Sequence, residues 1–236
     1  MQQYFGKIEA FTDIGDVLRY AADICLEQQV VRYSYHFTPL FEAPNSPGTA
    51  VVAEGFSREW LDLYEQADFR AKDPIPVRTL QHGSMLSWQD AISYAPNTRE
   101  NEEYFAAMAE FGLVHGFGLP LFGPRGRDAY ASFDFGMPIT QIDGHRLGIV
   151  RSVPQAAHQR VSVLLDSMDD RPELSERERE VMSWVARGKS ISAIATILDI
   201  APDTVKTYTK RIYAKLDVSD RVGATVKALK LGLVQV

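Results

Sequence analysis

Apolar positions along the chain follow two periods, and the change from one to the other predicts the order of elements. Ile8, Phe11, Ile14, Val17, Leu18, Ala21, Ala22 and Cys25 step by three and four, which predicts one amphipathic helix over 8–25. VVRYSYHF (30–37) and VVAE (51–54) read as strands joined by the loop APNSPG. Helical spacing returns in SREWLDLYEQA (57–67), starting at Ser57. Asp73-Pro74 opens a short helix through Gln81, because Asp caps well and Pro suits a first turn. SMLSW (84–88) reads as a strand, and TRENEEYFAAMAEFG (98–112) as a helix with an acidic first turn and a glycine stop. HGFGLPLFG (115–123) and AYASFDFGM (129–137) read as strands paired across PRGRD. In the second strand, alternation puts Tyr130, Ser132 and Asp134 on one face, and Ala131, Phe133 and Phe135 on the other. From about Ile139 to Met168 the pattern is helical. Strands flanked by helices at both ends predict an α/β/α sandwich.

The polar stretch 166–173 ends this pattern and reads as a linker between domains 1–168 and 174–236. Beyond it, Ser175 and Glu178 form a capping box ahead of Val181, Met182, Trp184 and Val185, and Gly188 stops the helix. A short second helix holds Ile191, Ile194, Ala195 and Leu198. Asp199-Ile200-Ala201 turns into a third helix that begins at Pro202 and runs to about Leu216. A fourth starts at Ser219 and passes through Ala224, Ala228 and Leu231. The expected class is therefore α+β, a sandwich followed by an all-α four-helix domain.

Composition changes this picture in one place. The net charge of −6 looks wrong for a nucleic-acid binder, but it is unevenly spread. Residues 1–170 carry 13 Lys and Arg against 23 Asp and Glu, giving −10; residues 171–236 carry 12 against 8, giving +4. Only the second domain is expected to meet phosphates. No run of 18 apolar residues suggests a membrane span, and MQQYFGKIEAFTDIGD lacks a signal-peptide layout, so the cytoplasm is expected. Cys25, the single cysteine, reads as core.

A short helix, a tight turn and a helix with a cationic outer face make a helix-turn-helix layout, although charge alone fits a solvated face equally well. LSEREREVMSWVARGKSISAIATILDIAPDTVKTYTKRIYAKLDVSDRVGA resembles the LuxR-type helix-turn-helix in Glu178, Gly188, Ile194-Ala195, Thr204-Val205-Lys206 and Lys215 to Val218. Met182 and Ala201 depart from the family's usual Leu and serine cap. The resemblance implies transcription regulation through double-stranded DNA. It places Lys206, Thr207 and Lys210 at base edges, and Lys189, Thr204, Arg211 and Arg221 on phosphates.

Residues 10–165 resemble the autoinducer-binding domain. Trp60, Tyr64, Asp73-Pro74, Trp88 and Gly116 stand in its order and spacing. The resemblance implies a bacterial quorum-sensing regulator with no cofactor and an N-acyl homoserine lactone as signal. It implies that the Trp60 indole donates to the lactone carbonyl and Asp73 accepts the amide N–H. Tyr64 then walls the acyl chain, Trp88 packs near the lactone, and Phe56, Ile75 and Phe105 complete the wall. Gly116 is structural. Many relatives carry a tyrosine where this chain has Phe56, so Ser132 is the expected substitute donor to the acyl carbonyl. Each residue has a plainer reading: Trp60, Tyr64 and Trp88 as core, Asp73 as a helix cap, Ser132 as a partner of nearby backbone.

Other classes are weaker. The five histidines show no metal-ligand spacing, Gly123-Pro124-Arg125-Gly126 precedes no helix, and no nucleophile motif is recognisable. The alternatives are the same architecture reading another metabolite, or a lactone-processing enzyme. The family acts as homodimers and meets RNA polymerase at promoters. The expected self-contact surfaces are Ile149, Val153, Val161 and Leu165, and the last helix near Val226 and Leu229; all are readable equally as core.

Overall fold

The structure is a computed structural model that describes residues 2–39, 42–96, 98–168 and 172–235. The chain divides into two compact units, residues 1–167 and 168–236. The helix that ends the first runs on to Met168, so residues 166–168 of the expected linker are helical, and 169–171 lie outside the described residues.

The first unit is built on a five-stranded antiparallel sheet in the order β2-β1-β5-β4-β3. Its strands are β1 (Arg32–Phe37), β2 (Ala50–Glu54), β3 (Leu86–Ser87), β4 (Phe117–Leu121) and β5 (Ala129–Asp134). One face carries Tyr33, Tyr35, Phe117, Phe133 and Phe135, all buried under Ala22, Cys25 and Val150. Those last residues belong to α2 (Ile14–Glu27) and α8 (Gly144–Met168), beside α1 (Gln2–Ala10). The other face is covered by α3 (Arg58–Gln66), α4 (Phe69–Lys72), α5 (Ile75–His82), α6 (Trp88–Tyr94) and α7 (Arg99–Glu110). Pleat alternation turns Ser34 and His36 of β1, and Tyr130, Ser132 and Asp134 of β5, toward this second layer.

Three local readings differ from the sequence expectation. The helix expected over 8–25 is two helices, because the Asp13 side chain accepts the Asp16 N–H and restarts the chain. The one-turn α4 was not foreseen. Trp88 does not end a strand but opens α6, where Ser87 Oγ accepts the Asp90 N–H at 3.0 Å. A larger correction concerns α8. Ile149, Val153 and Val161 are 4, 0 and 2% exposed, packed on Ile8, Val17, Ala21 and Ile24 of the same unit, and Leu165 joins them half-buried. They are core rather than a self-contact surface.

The second unit packs α9 (Glu176–Ala186), α10 (Ile191–Leu198), α11 (Pro202–Lys215) and α12 (Arg221–Lys230) around Val181, Met182, Ile194, Val205, Ile212 and Leu216. Both halves of the capping box form: Ser175 Oγ accepts the Glu178 N–H, and Glu178 Oε2 accepts the Ser175 N–H at 2.8 Å. Gly188 follows α9 at φ +80°, the left-handed conformation glycine adopts without cost. Ala201 caps α11 without a side-chain bond. Asp220, not Ser219, caps α12, its Oδ1 taking the Gly223 N–H at 2.9 Å.

Candidate functional site

Between the sheet and the second helical layer lies a cavity of about 70 Å³. Asp73 is one of the residues that line it. It follows α4, where Pro74 ends the turn, and its Oδ1 accepts the Ile75 N–H at 2.9 Å. Its Oδ2 accepts from the Tyr64 hydroxyl at 3.2 Å, and the Tyr104 hydroxyl is a third donor. Burial pushes the carboxyl up to about 6, and those three donors only partly offset it. A carboxylate held buried by donors, it caps a helix and lines the cavity at once.

Helical spacing in α3 puts Trp60 and Tyr64 one turn apart, with ring centroids 5.8 Å apart. Phe69 and Phe111 close around the Trp60 indole at 6.2 and 5.4 Å. Trp88, 4% exposed, lies against Gly116: a Cβ there would stand 2.4 Å from the indole, so only glycine leaves room. On the sheet side, Ser132 Oγ lies 2.6 Å from Ser34 Oγ, which lies 2.9 Å from His36 Nε2. Burial pushes the His36 imidazole down to about 3, with Arg70 adding to the effect, so it is neutral at ordinary pH. Its ring meets Tyr130 edge-on at 5.1 Å.

Of the expected pocket residues, Phe56, Trp60, Tyr64, Asp73, Ile75, Trp88 and Ser132 line this one cavity. Phe105 does not. It is half-buried on α7, and its neighbour Tyr104 faces the cavity instead. Ser34, His36, Tyr104 and Tyr130 were missed, although the alternation that placed Ser132 also turns Ser34 and His36 inward once the β1–β5 register is known. His158 is a satisfied core histidine, bonded to the Tyr35 hydroxyl and the Arg127 carbonyl.

In the second unit, Thr204, Lys206, Thr207, Lys210 and Arg211 lie exposed on α11, and Lys189 lies exposed after α9. Lys206 pairs with Asp203 at 2.9 Å, a solvated contact that a phosphate can displace. Arg221 departs from the expectation. It is half-buried and donates to the Val185 carbonyl at 2.5 Å, tying α12 to the end of α9. Lys215, outside the expected set, bonds the buried Glu178 at 2.7 Å.

A sandwich domain enclosing a polar-centred cavity, followed by a helix-turn-helix with exposed cations, defines a ligand-responsive DNA-binding regulator. The chain belongs to the LuxR family of quorum-sensing transcription regulators: residues 13–161 match the autoinducer binding domain, and residues 172–228 the bacterial regulatory proteins of the luxR family. It is 33% identical over 189 residues to the quorum sensing-dependent transcriptional regulator RpaR of Rhodopseudomonas palustris, spanning 78% of this chain and 75% of that one. Identity to the quorum-sensing regulator RhlR of Pseudomonas aeruginosa is 27% over 216 residues, covering 89% and 88%. The fold matches Escherichia coli SdiA with a TM-score of 0.74 at 22% identity, over 100% of this chain and 98% of that one. These relatives are regulators, and the reading as an enzyme falls with that.

Proposed function

We propose that the cavity takes an N-acyl homoserine lactone and that the second unit, paired with a second copy, binds a two-fold symmetric promoter site. The convergence of Trp60, Tyr64, Asp73, Trp88 and Ser132 on one cavity carries this reading. Asp73 accepts the amide N–H, Trp60 donates to the lactone carbonyl, and Ser132 donates to the acyl carbonyl that Phe56 cannot serve. Tyr64, Phe56 and Ile75 flank the chain, and Trp88 packs by the lactone. A cavity of about 70 Å³ is well below the roughly 300–1,000 Å³ usual for a ligand pocket, so binding pushes the walls apart. E. coli SdiA, similar in fold at a TM-score of 0.71, has been solved in complex with octanoyl-rac-glycerol. That keeps a second reading in view, an acylated metabolite without a lactone. Mass spectrometry of the small molecules released from protein expressed in a lactone-producing host separates the two. An acyl homoserine lactone is expected; a different acylated molecule, or none, contradicts the proposal.

For DNA, Lys206, Thr207 and Lys210 reach base edges, while Lys189, Thr204 and Arg211 hold phosphates. Lys206→Ala or Lys210→Ala is expected to cost about 1–3 kcal/mol on the cognate site and to relax specificity, whereas Lys189→Ala weakens all sequences alike and lowers the salt slope by about one. Anisotropy titrations at several salt concentrations read both, and unchanged cognate binding in the Lys206→Ala/Lys210→Ala double variant overturns the assignment. For assembly, Val222 and Val226 of α12 are 71 and 46% exposed, with Leu229 half-buried beneath, which supports a self-contact surface there. Light scattering of the liganded protein is expected to give a dimer, and Val226→Glu a shift toward monomer. The protein acts in the cytoplasm, where the promoter and RNA polymerase are.

A further inference from the structure

Ser132, Ser34 and His36 form one hydrogen-bonded row along the cavity's sheet face, running from β5 onto β1, and all three are buried at 4, 5 and 8% exposure. The direction of hydrogen bonding along the row follows from counting protons. A neutral imidazole and two hydroxyls bring one proton each, and the two links of the row use two of them. Under the reading above, the Ser132 proton goes to the ligand's acyl carbonyl. Ser34 must then donate to Ser132, and His36 Nε2–H must donate to Ser34. Every proton is committed, and what the row still offers the cavity beyond Ser132 is lone pairs.

The spacing selects where on the acyl chain this matters. When both lie on the same side of a carbon chain, oxygens in a 1,3 relation stand about one hydrogen-bond length apart. The Ser132 and Ser34 oxygens are 2.6 Å apart. A carbonyl held at Ser132 therefore brings the substituent on C3 of the chain opposite Ser34 and His36. We propose that Ser34 and His36 make this receptor selective for an acyl chain with a hydroxyl on C3, an inference that rests on the acyl homoserine lactone reading. The hydroxyl donates to the remaining lone pair of Ser34, which the His36 Nε2–H holds turned to the cavity by its own donation to Ser34. A C3 ketone has no proton to give and sets its own lone pairs against that of Ser34. A plain methylene neither gains nor clashes. The expected order is hydroxyl first, methylene second, ketone last.

Calorimetric titration of the full-length protein with N-(3-hydroxyoctanoyl), N-octanoyl and N-(3-oxooctanoyl) homoserine lactone tests this. The hydroxylated ligand is expected to bind about fivefold more tightly than the octanoyl one, the worth of one neutral hydrogen bond, and the oxo ligand more weakly than both. Ser34→Ala and His36→Phe should each level the three. A wild type that ranks the octanoyl or oxo ligand first overturns the proposal, as does a hydroxyl preference that survives both substitutions. If His36→Phe does not fold, the wild-type ranking and Ser34→Ala still decide. Binding of none of the three by the wild type would instead overturn the lactone reading itself and take this inference with it.

Discussion

Replacing Glu178 with alanine is expected to destabilise the C-terminal domain more than any other single truncation of a polar side chain in it. Glu178 is 4% exposed yet accepts from the Ser175 N–H at 2.8 Å and from Lys215 Nζ at 2.7 Å. It therefore fixes the start of α9 and joins it to the last turn of α11. Truncation loses half of a capping box, about 1 kcal/mol, and breaks an ion pair whose fully buried form would cost about 3–5 kcal/mol. The Lys215 side chain is 42% exposed, so water screens that pair. A combined loss of about 2–4 kcal/mol follows, or roughly 10 °C or more in a domain of this size. Acid sharpens the test. Burial pushes the Glu178 carboxyl up, but Lys215 and the Ser175 donors outweigh it and hold the group below its ordinary 4.5. A depressed carboxyl stabilises the fold above that ordinary value and loses its contribution as pH falls through the lowered one. Glu178→Ala should flatten that acid-side loss as well as lower the midpoint. Calorimetry of the full chain at pH 7 and pH 4 reads both; a stability within about 0.5 kcal/mol of wild type contradicts the role assigned here.

Gly116→Ala is expected to disable the ligand cavity. The new methyl would stand 2.4 Å from the Trp88 indole, and the Trp88 N–H donates to the Gly116 carbonyl at 2.9 Å, so the two backbones cannot part freely. The ring has to turn toward the cavity or against Tyr130, whose hydroxyl bonds its N–H. Overpacking of this kind costs about 1–3 kcal/mol. The functional loss is larger, because the displaced indole occupies ligand space. A lactone present at 100 times its Kd should stabilise the wild type by about 2.7 kcal/mol, and Gly116→Ala should show little of that shift. Trp88→Phe in the same chain should restore part of the apo stability, since the smaller ring leaves room for the methyl. A Gly116→Ala protein with wild-type stability and ligand response would show that this contact is not a constraint.

The parts of this molecule legible in its sequence are those fixed by neighbours in the chain. The capping box of Ser175 and Glu178, the glycine stop at Gly188 and the alternation of β5 are all local, and all stand as expected. The break at Asp13 was hidden because the apolar period runs through it, so only the side-chain cap marks the restart. Ser87 and Asp90 carried a helix-start signal that the apolar residues of SMLSW masked. Periodicity places Tyr104 and Phe105 on the same helix, but which of them meets the cavity depends on how α7 rests on Trp60 and Phe69. It likewise cannot tell a stripe buried within one unit from one buried between copies, which is why Ile149, Val153 and Val161 were misplaced. Arg221 shows the limit for charges: its acceptor, Val185, is 36 residues away in the chain.

Asp73 offers the most direct test of the central claim. Its carboxyl is raised from 3.8 to about 6 chiefly by burial, so its contribution to folding is fully present below 3.8 and is lost as pH rises through about 6. At pH 7.5 the protein therefore holds a carboxylate at a cost, and Asp73→Asn, which can still cap at Ile75, should leave the apo protein as stable as wild type or more so. What it loses is charge assistance to the ligand amide, the difference between about 1.5–3 kcal/mol for a charged hydrogen bond and about 1 for a neutral one. Calorimetric titration of N-octanoyl homoserine lactone into wild type and Asp73→Asn at pH 7.5, with thermal midpoints measured alongside, is the decisive measurement. Lactone binding by the wild type is expected, with a several-fold or larger loss of affinity in a variant that melts no lower. Equal affinity in the two proteins would leave Asp73 as a helix cap alone, and no binding by the wild type would contradict the acyl homoserine lactone assignment outright.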